Sequence, residues 1–183
     1  MEVMATNATE MYSRNGTIRR FKLVYAIILI LCLLWCSLFI SVPFLADGSS
    51  LSRKASAMIT LFFSPICHQA ANRSFQIYGH PLAVCARCTG IYGGFLIGVI
   101  LYPFIRGWRN TAPPPNWILI AGLLPSGLEF ILSRLRGVYP DPLLRSFTGS
   151  ILGGVVSIFV VPAIFNAFVL RGKSSLLLKK NEG

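Results

Sequence analysis

The sequence predicts an all-α integral membrane protein, a four-span helical bundle with a short interfacial or re-entrant segment between spans one and two. Three observations carry this. Of the 183 residues, 54% are hydrophobic and 13% charged, against roughly a quarter charged in an average soluble domain, and the mean hydropathy is +0.65. The apolar residues gather into four long runs, each close to the roughly 20 residues a helix needs to cross hydrocarbon. The charge is lopsided, with 17 Lys and Arg against 6 Asp and Glu; in an apolar chain such an excess marks cytoplasmic loops more often than a nucleic-acid partner. The same composition excludes a disordered chain, and the length admits one compact bundle.

Residues 1–22 are a polar, basic amino-terminal segment, and the first 18 are expected to be loosely held. Leu23 to Ala46 is the first span, preceded by Arg19, Arg20 and Lys22. Its apolar run is too long for a cleaved signal peptide, so it reads as a signal anchor. Within the next stretch, Ser49 to Val84, the piece Ala57 to Ile66 is apolar but too short to cross, and Pro65 interrupts it. An interfacial or re-entrant helix follows.

Cys88 to Ile105 is the second span, closed by Arg106 and Arg109. Pro113, Pro114 and Pro115 then prevent the helix from continuing. Trp108 and Trp117 flank this loop, as aromatics do at a membrane interface. The third span runs from about Asn116 to Ser133 and contains one acid, Glu129; Arg134, Arg136, Pro140, Asp141 and Pro142 form the loop after it. The fourth begins near Leu143 or Arg145 and ends before Arg171. Residues 23–170 are thus the membrane domain, and 171–183, with Lys173, Lys179 and Lys180, form a basic tail suited to anionic headgroups.

Four spans put both termini on one side. That side holds Arg14, Arg19, Arg20, Lys22, Arg106, Arg109, Arg171, Lys173, Lys179 and Lys180, which is ten; the other holds Arg53, Lys54, Arg73, Arg87, Arg134, Arg136 and Arg145, which is seven. The bias predicts a multi-pass protein of the cell (inner) membrane with both termini cytoplasmic.

The chemistry concentrates before the second span, in Cys67-His68-Gln69, Arg73-Ser74-Phe75, Gly79-His80-Pro81 and Cys85-Ala86-Arg87-Cys88-Thr89-Gly90. Three of the five cysteines and both histidines fall within 22 residues. Thiolate and imidazole are the ligands of zinc, copper(I) and iron. Cys85 and Cys88 have the spacing that presents two sulfurs to one ion, and Cys67 with His68 or His80 completes a four-ligand set for a transition metal, zinc first.

The same residues support a redox dithiol. A helix start and the neighbouring Arg87 favour a thiolate at Cys88, with Cys85 and Cys67 as exchange partners. By analogy with quinone-linked disulfide-forming membrane enzymes, quinone is the cofactor under that alternative; their second cysteine pair is missing, because Cys32 and Cys36 lie mid-span and read as packing residues. A stabilising disulfide is the third option, and the spacing leaves all three open.

The run from Cys67-His68-Gln69 through Arg73-Ser74-Phe75 to Cys85-Ala86-Arg87-Cys88-Thr89-Gly90-Ile91-Tyr92 resembles a family of small prokaryotic membrane proteins, domain-of-unknown-function family 2085. The resemblance covers about Ser64 to Gly154, since Arg145-Ser146-Phe147-Thr148-Gly149 is similar to that family's Arg-x-x-Thr-Gly element. Where the family's third helix carries an acid–Gly pair, this chain has Gly127-Leu128-Glu129. The resemblance implies a membrane protein and no particular activity.

Small residues at four-residue intervals, Gly90, Gly94 and Gly98 on the second span and Gly149, Gly153 and Ser157 after Arg145 on the fourth, predict close packing of these two helices. Arg145 would then approach Arg87 and the cysteines. Glu129, an acid inside a span, is expected to pair with Arg87 or Arg145, or to serve the site as a ligand or proton acceptor. Arg73, Arg87 and Arg145 against that one acid leave surplus positive charge for an anion such as a lipid phosphate, so a small transporter or anionic-lipid binder is the further alternative. The expected partners are the bilayer, a metal ion or an anionic lipid, with homo-oligomerisation left open and no nucleic acid, since no basic run is interleaved with aromatics. Metalloprotease, phosphate-loop and nucleophile-elbow motifs are all absent from the sequence.

Overall fold

The computed structural model describes residues 2–107, 112–137 and 141–181, with side chains described for 18–107, 112–135, 137 and 141–168. Trp108, Arg109 and Pro140 lie outside the described residues, and so do the side chains of Arg14, Arg136, Arg171, Lys173, Lys179 and Lys180. Five helices follow one another among the described residues: α1 (Glu2–Ala46), α2 (Ser50–Phe63), α3 (Ala86–Arg106), α4 (Trp117–Arg136) and α5 (Pro142–Asn181). Four contain segments long and apolar enough to cross a membrane: Ile18–Ala46, Ala86–Arg106, Trp117–Leu135 and Pro142–Phe168. The protein is an all-α membrane bundle with four candidate spans.

The second helix is the intervening segment. At 14 residues it is about 21 Å long, too short for about 30 Å of hydrocarbon. It begins at Ser50, seven residues before the apolar piece recognised in the sequence, because Ser49 caps it by accepting from the Ser52 N–H at 3.4 Å. It stops at Phe63, ahead of Pro65. Its inner face buries Ser56 and Phe63, and the Ser56 hydroxyl donates to the Val42 carbonyl at 3.3 Å, which ties α2 to the end of α1.

The first and last helices extend beyond their spans. α1 is helical from Glu2 and α5 continues to Asn181, so the polar amino-terminal segment and the basic tail prolong the spanning helices. α3, α4 and α5 alternate in direction. The starts of α3 and α5 and the end of α4 therefore share the membrane face that also carries residues 47–85.

The tightest contact in the bundle is between α3 and α5, which run parallel. A Cβ on Gly90 would collide with the Ser146 backbone and one on Gly94 with the Ser150 backbone, while one on Gly149 would sit 2.6 Å from the Arg87 carbonyl oxygen. The backbones touch because these positions carry no side chain, which is how membrane helices gain packing energy without a hydrophobic driving force between them. Gly153 meets Ile91 and Phe95 backbone in the same way. Gly153→Leu is expected to force the helices apart and lower stability by about 1–3 kcal/mol or more, as overpacking does. Thermal unfolding in detergent checks this, with Gly93→Leu as control, since a Cβ at Gly93 meets nothing within 4 Å.

Two apolar clusters flank this seam. Phe21, Ile28, Val99, Tyr102, Val161 and Phe165 close one end. The other surrounds the cysteines and comprises Cys36, Phe39, Val42, Phe63, Cys67, Leu82, Ala83 and Val84.

Candidate metal centre

Cys85 and Cys88 come together because of where α3 begins. Cys85 is its N-cap, with extended backbone (φ −70°, ψ 161°), and its carbonyl accepts the Thr89 N–H at 2.9 Å. An N-cap side chain turns back over the first turn, where the third helical residue, here Cys88, also points. The two-residue spacing thus becomes a two-sulfur face.

Cys67 reaches this face from the end of the α2 segment. Its N–H bonds to the Phe63 carbonyl at 2.9 Å, and its sulfur accepts the Cys85 N–H at 3.2 Å. Gln69 fixes the bend that makes this approach. It adopts a left-handed backbone (φ 48°), and its Nε2 donates to the carbonyls of Thr60 at 2.6 Å and Ala83 at 2.8 Å. One amide group therefore laces α2 to the irregular segment leading into Cys85. The sequence shows Gln69 beside Cys67 and His68, but nothing local assigns it this role.

The outcome is a trio in which the sulfurs of Cys67, Cys85 and Cys88 all lie within 4.8 Å of one another. Cys67 is buried, the other two are half-buried, and all are free thiols. Their separation leaves room for one ion held at thiolate distance, about 2.3 Å for zinc. The Cys67 thiol, and next that of Cys88, stabilises a charge on the Cys85 sulfur and holds it well below the usual thiol range despite burial. A deprotonated sulfur is the form that binds metal or attacks a disulfide.

Neither histidine joins the trio. The short hairpin of β1 (Gln76–Ile77) and β2 (His80–Pro81) turns through Tyr78 and Gly79, both in the left-handed region. It carries His80 to the end of α1, where Nε2 lies 2.9 Å from Asp47 Oδ1. The structure thus brings His80, expected as a candidate fourth ligand, to Asp47 and not into the thiol group. His68 is exposed and lines a cavity that Cys85 also borders, but its ring nitrogens are outside the thiol group.

Glu129 takes the pairing expected of it, and with both arginines. Its Oε2 accepts from Arg87 Nη2, its Oε1 lies 3.4 Å from Arg145 Nε, and the Ser133 hydroxyl donates to Oε1 at 2.8 Å. The carboxylate side chain is 5% exposed and that of Arg145 8%. Arg87 also lies over the Phe130 ring, 5.4 Å from its centroid. The parallel α3–α5 seam sets Arg87 and Arg145 side by side, and α4 supplies the acid between them.

Beside the trio, Arg73, Arg87, Arg134 and Arg145 border one cavity of about 470 Å³, together with His68 and Cys85. A separate apolar cleft of about 290 Å³ runs along α1 and α3, lined by Leu31, Cys32, Trp35, Cys36, Tyr92 and Phe95. Trp35 and Tyr92 pack against the apolar core cluster that contains Cys67.

Residues 67–159, the stretch that holds the trio, Glu129 and both partner arginines, match the family described as predicted membrane protein (DUF2085). An uncharacterized protein of Methanocaldococcus jannaschii is 39% identical over 157 residues, covering 83% of this chain and 99% of that relative. An uncharacterized protein of Methanothermobacter thermautotrophicus is 40% identical over 94 residues, 50% of this chain and 81% of its own length. No solved structure matches. With four candidate spans, a family match across residues 67–159 and a relative matched along nearly its whole length, the chain belongs to the DUF2085 family of predicted membrane proteins.

Proposed function

We propose that this membrane protein binds one soft transition-metal ion, zinc first, through the thiolates of Cys67, Cys85 and Cys88, on the face opposite its two termini. The observation that carries the reading is the convergence of three thiols from two separate segments to within 4.8 Å. Three thiolates suit zinc, copper(I) or iron. With neither histidine in the group, the fourth position falls to water or to an exogenous ligand, the open arrangement associated with reactive rather than purely structural zinc.

Cobalt(II) titration of the reduced, metal-stripped protein tests this through sulfur-to-cobalt charge-transfer absorption. The wild type is expected to show one saturable site with thiolate bands. His80→Ala is expected to leave the bands and the stoichiometry unchanged, because His80 is bound to Asp47. A loss of cobalt binding in that variant would contradict the three-thiol geometry. The lysine and arginine bias supports a cell-membrane orientation with both termini cytoplasmic and the thiols on the outer face. A membrane-impermeant thiol reagent should therefore label Cys85 in intact cells, and label on inverted vesicles alone would reverse the orientation.

The apolar cleft favours a second reading, thiol oxidation coupled to quinone. Cys85 and Cys88 would lose two electrons and two protons in forming a disulfide, and a quinone in the cleft beside Trp35 and Tyr92 would become the hydroquinone. Mixing reduced protein with a soluble quinone under anaerobic conditions separates the readings. Stoichiometric hydroquinone and loss of two titratable thiols support redox function, whereas an unchanged thiol count leaves the metal site alone.

A further inference from the structure

We propose that the arginine-lined cavity beside the thiol trio is a binding site for an oxyanion of the phosphate class. Four arginines, Arg73, Arg87, Arg134 and Arg145, border this single space of about 470 Å³. That volume lies within the roughly 300–1,000 Å³ range of ligand sites. The carboxylate that pairs with two of these groups is Glu129, shared between Arg87 and Arg145. The cavity thus gathers four arginines, two of which share that carboxylate.

Guanidinium groups are suited to phosphate because their planar forks donate two parallel hydrogen bonds to adjacent oxygens. The starts of α3 and α5 lie on the same face, so the positive ends of two helix dipoles reinforce the arginines. Among the other wall residues, His68 offers a hydrogen bond and Phe130 forms an apolar side, while the Ser133 hydroxyl is committed to Glu129. The inference does not require a metal at the trio, which meets the cavity only through Cys85.

The phosphate group could belong to a lipid headgroup or to a soluble molecule, and the two sources are separable. Delipidated full-length protein in a neutral detergent would be titrated calorimetrically with inorganic phosphate at constant ionic strength, with chloride as control. In parallel, protein reconstituted with phosphatidylglycerol or with phosphatidylcholine would be assayed for retained lipid by native mass spectrometry. Saturable phosphate binding with no preference between the lipids identifies a soluble ligand. Selective retention of phosphatidylglycerol without phosphate binding identifies a headgroup.

In either case, Arg73→Gln combined with Arg134→Gln is expected to weaken binding about ten-fold or more, equivalent to about 1.4 kcal/mol, while Arg73→Lys retains most of it. These two positions leave the Glu129 pairs intact. If the double variant fails to fold, protection of Arg73 from phenylglyoxal by phosphate or phosphatidylglycerol in the wild type gives the same information. Folded wild type that takes up neither probe overturns the proposal. So does binding that survives the double variant undiminished, or no protection of Arg73.

Discussion

Glu129→Gln is expected to destabilise the bundle by about 3–5 kcal/mol, the usual cost of removing one partner from a buried ion pair. The carboxylate is 5% exposed and serves Arg87 and Arg145 together, so its neutral substitute leaves two guanidinium groups facing each other in a poorly hydrated place. Unfolding by a denaturing detergent, followed by helical circular dichroism, measures the loss. Removing one of the stranded charges as well, in Glu129→Gln with Arg145→Met, is expected to recover part of it, because what costs most is the uncompensated cation. A fully additive double variant would show that the three groups do not act as a unit. Metal content per folded chain should remain as in the wild type, since Glu129 is outside the thiol group.

Cys67→Ser is the second large effect. Serine keeps the size of the side chain but not a soft, readily ionised sulfur. With only Cys85 and Cys88 left, affinity for zinc or cobalt is expected to fall by more than about 100-fold, that is by more than about 2.7 kcal/mol. Competition against a chromophoric chelator measures it. Cys32→Ser is the matched control, because Cys32 lines the apolar cleft and is not part of the trio. Equal losses in both variants would point to general damage.

How much of this was legible in the sequence depends on how local each feature is. The four spans were, because unbroken apolar runs need only composition to be recognised. The packing of α3 on α5 was also legible, since Gly90, Gly94, Gly149 and Gly153 recur at helical spacing and now sit at backbone contact. That register brought Arg145 to Arg87 and prepared both for Glu129. The start of α2 was not legible from hydropathy, because Ser50, Ser52, Arg53 and Lys54 are polar residues in the first turns of an amphipathic helix.

The fate of the histidines was hidden for a different reason. His80 meets Asp47 across 33 residues, a pairing set by the Tyr78–Gly79 turn and by where α1 ends. Gln69 was present in the motif, yet its two carbonyl partners, Thr60 and Ala83, become neighbours only after the chain folds. Spacing proposed the thiols as a group; the cap at Cys85 and the bend at Gln69 are what bring the third sulfur to the other two.

The central claim is that the thiol trio holds a metal. The most direct test is metal content per chain by elemental mass spectrometry, on protein purified without oxygen and without a metal-affinity column. The account predicts about one zinc, copper or iron per chain, as a single site with three thiolates requires, and its loss in Cys85→Ser. Well-folded wild type with reduced thiols and no bound metal would contradict it.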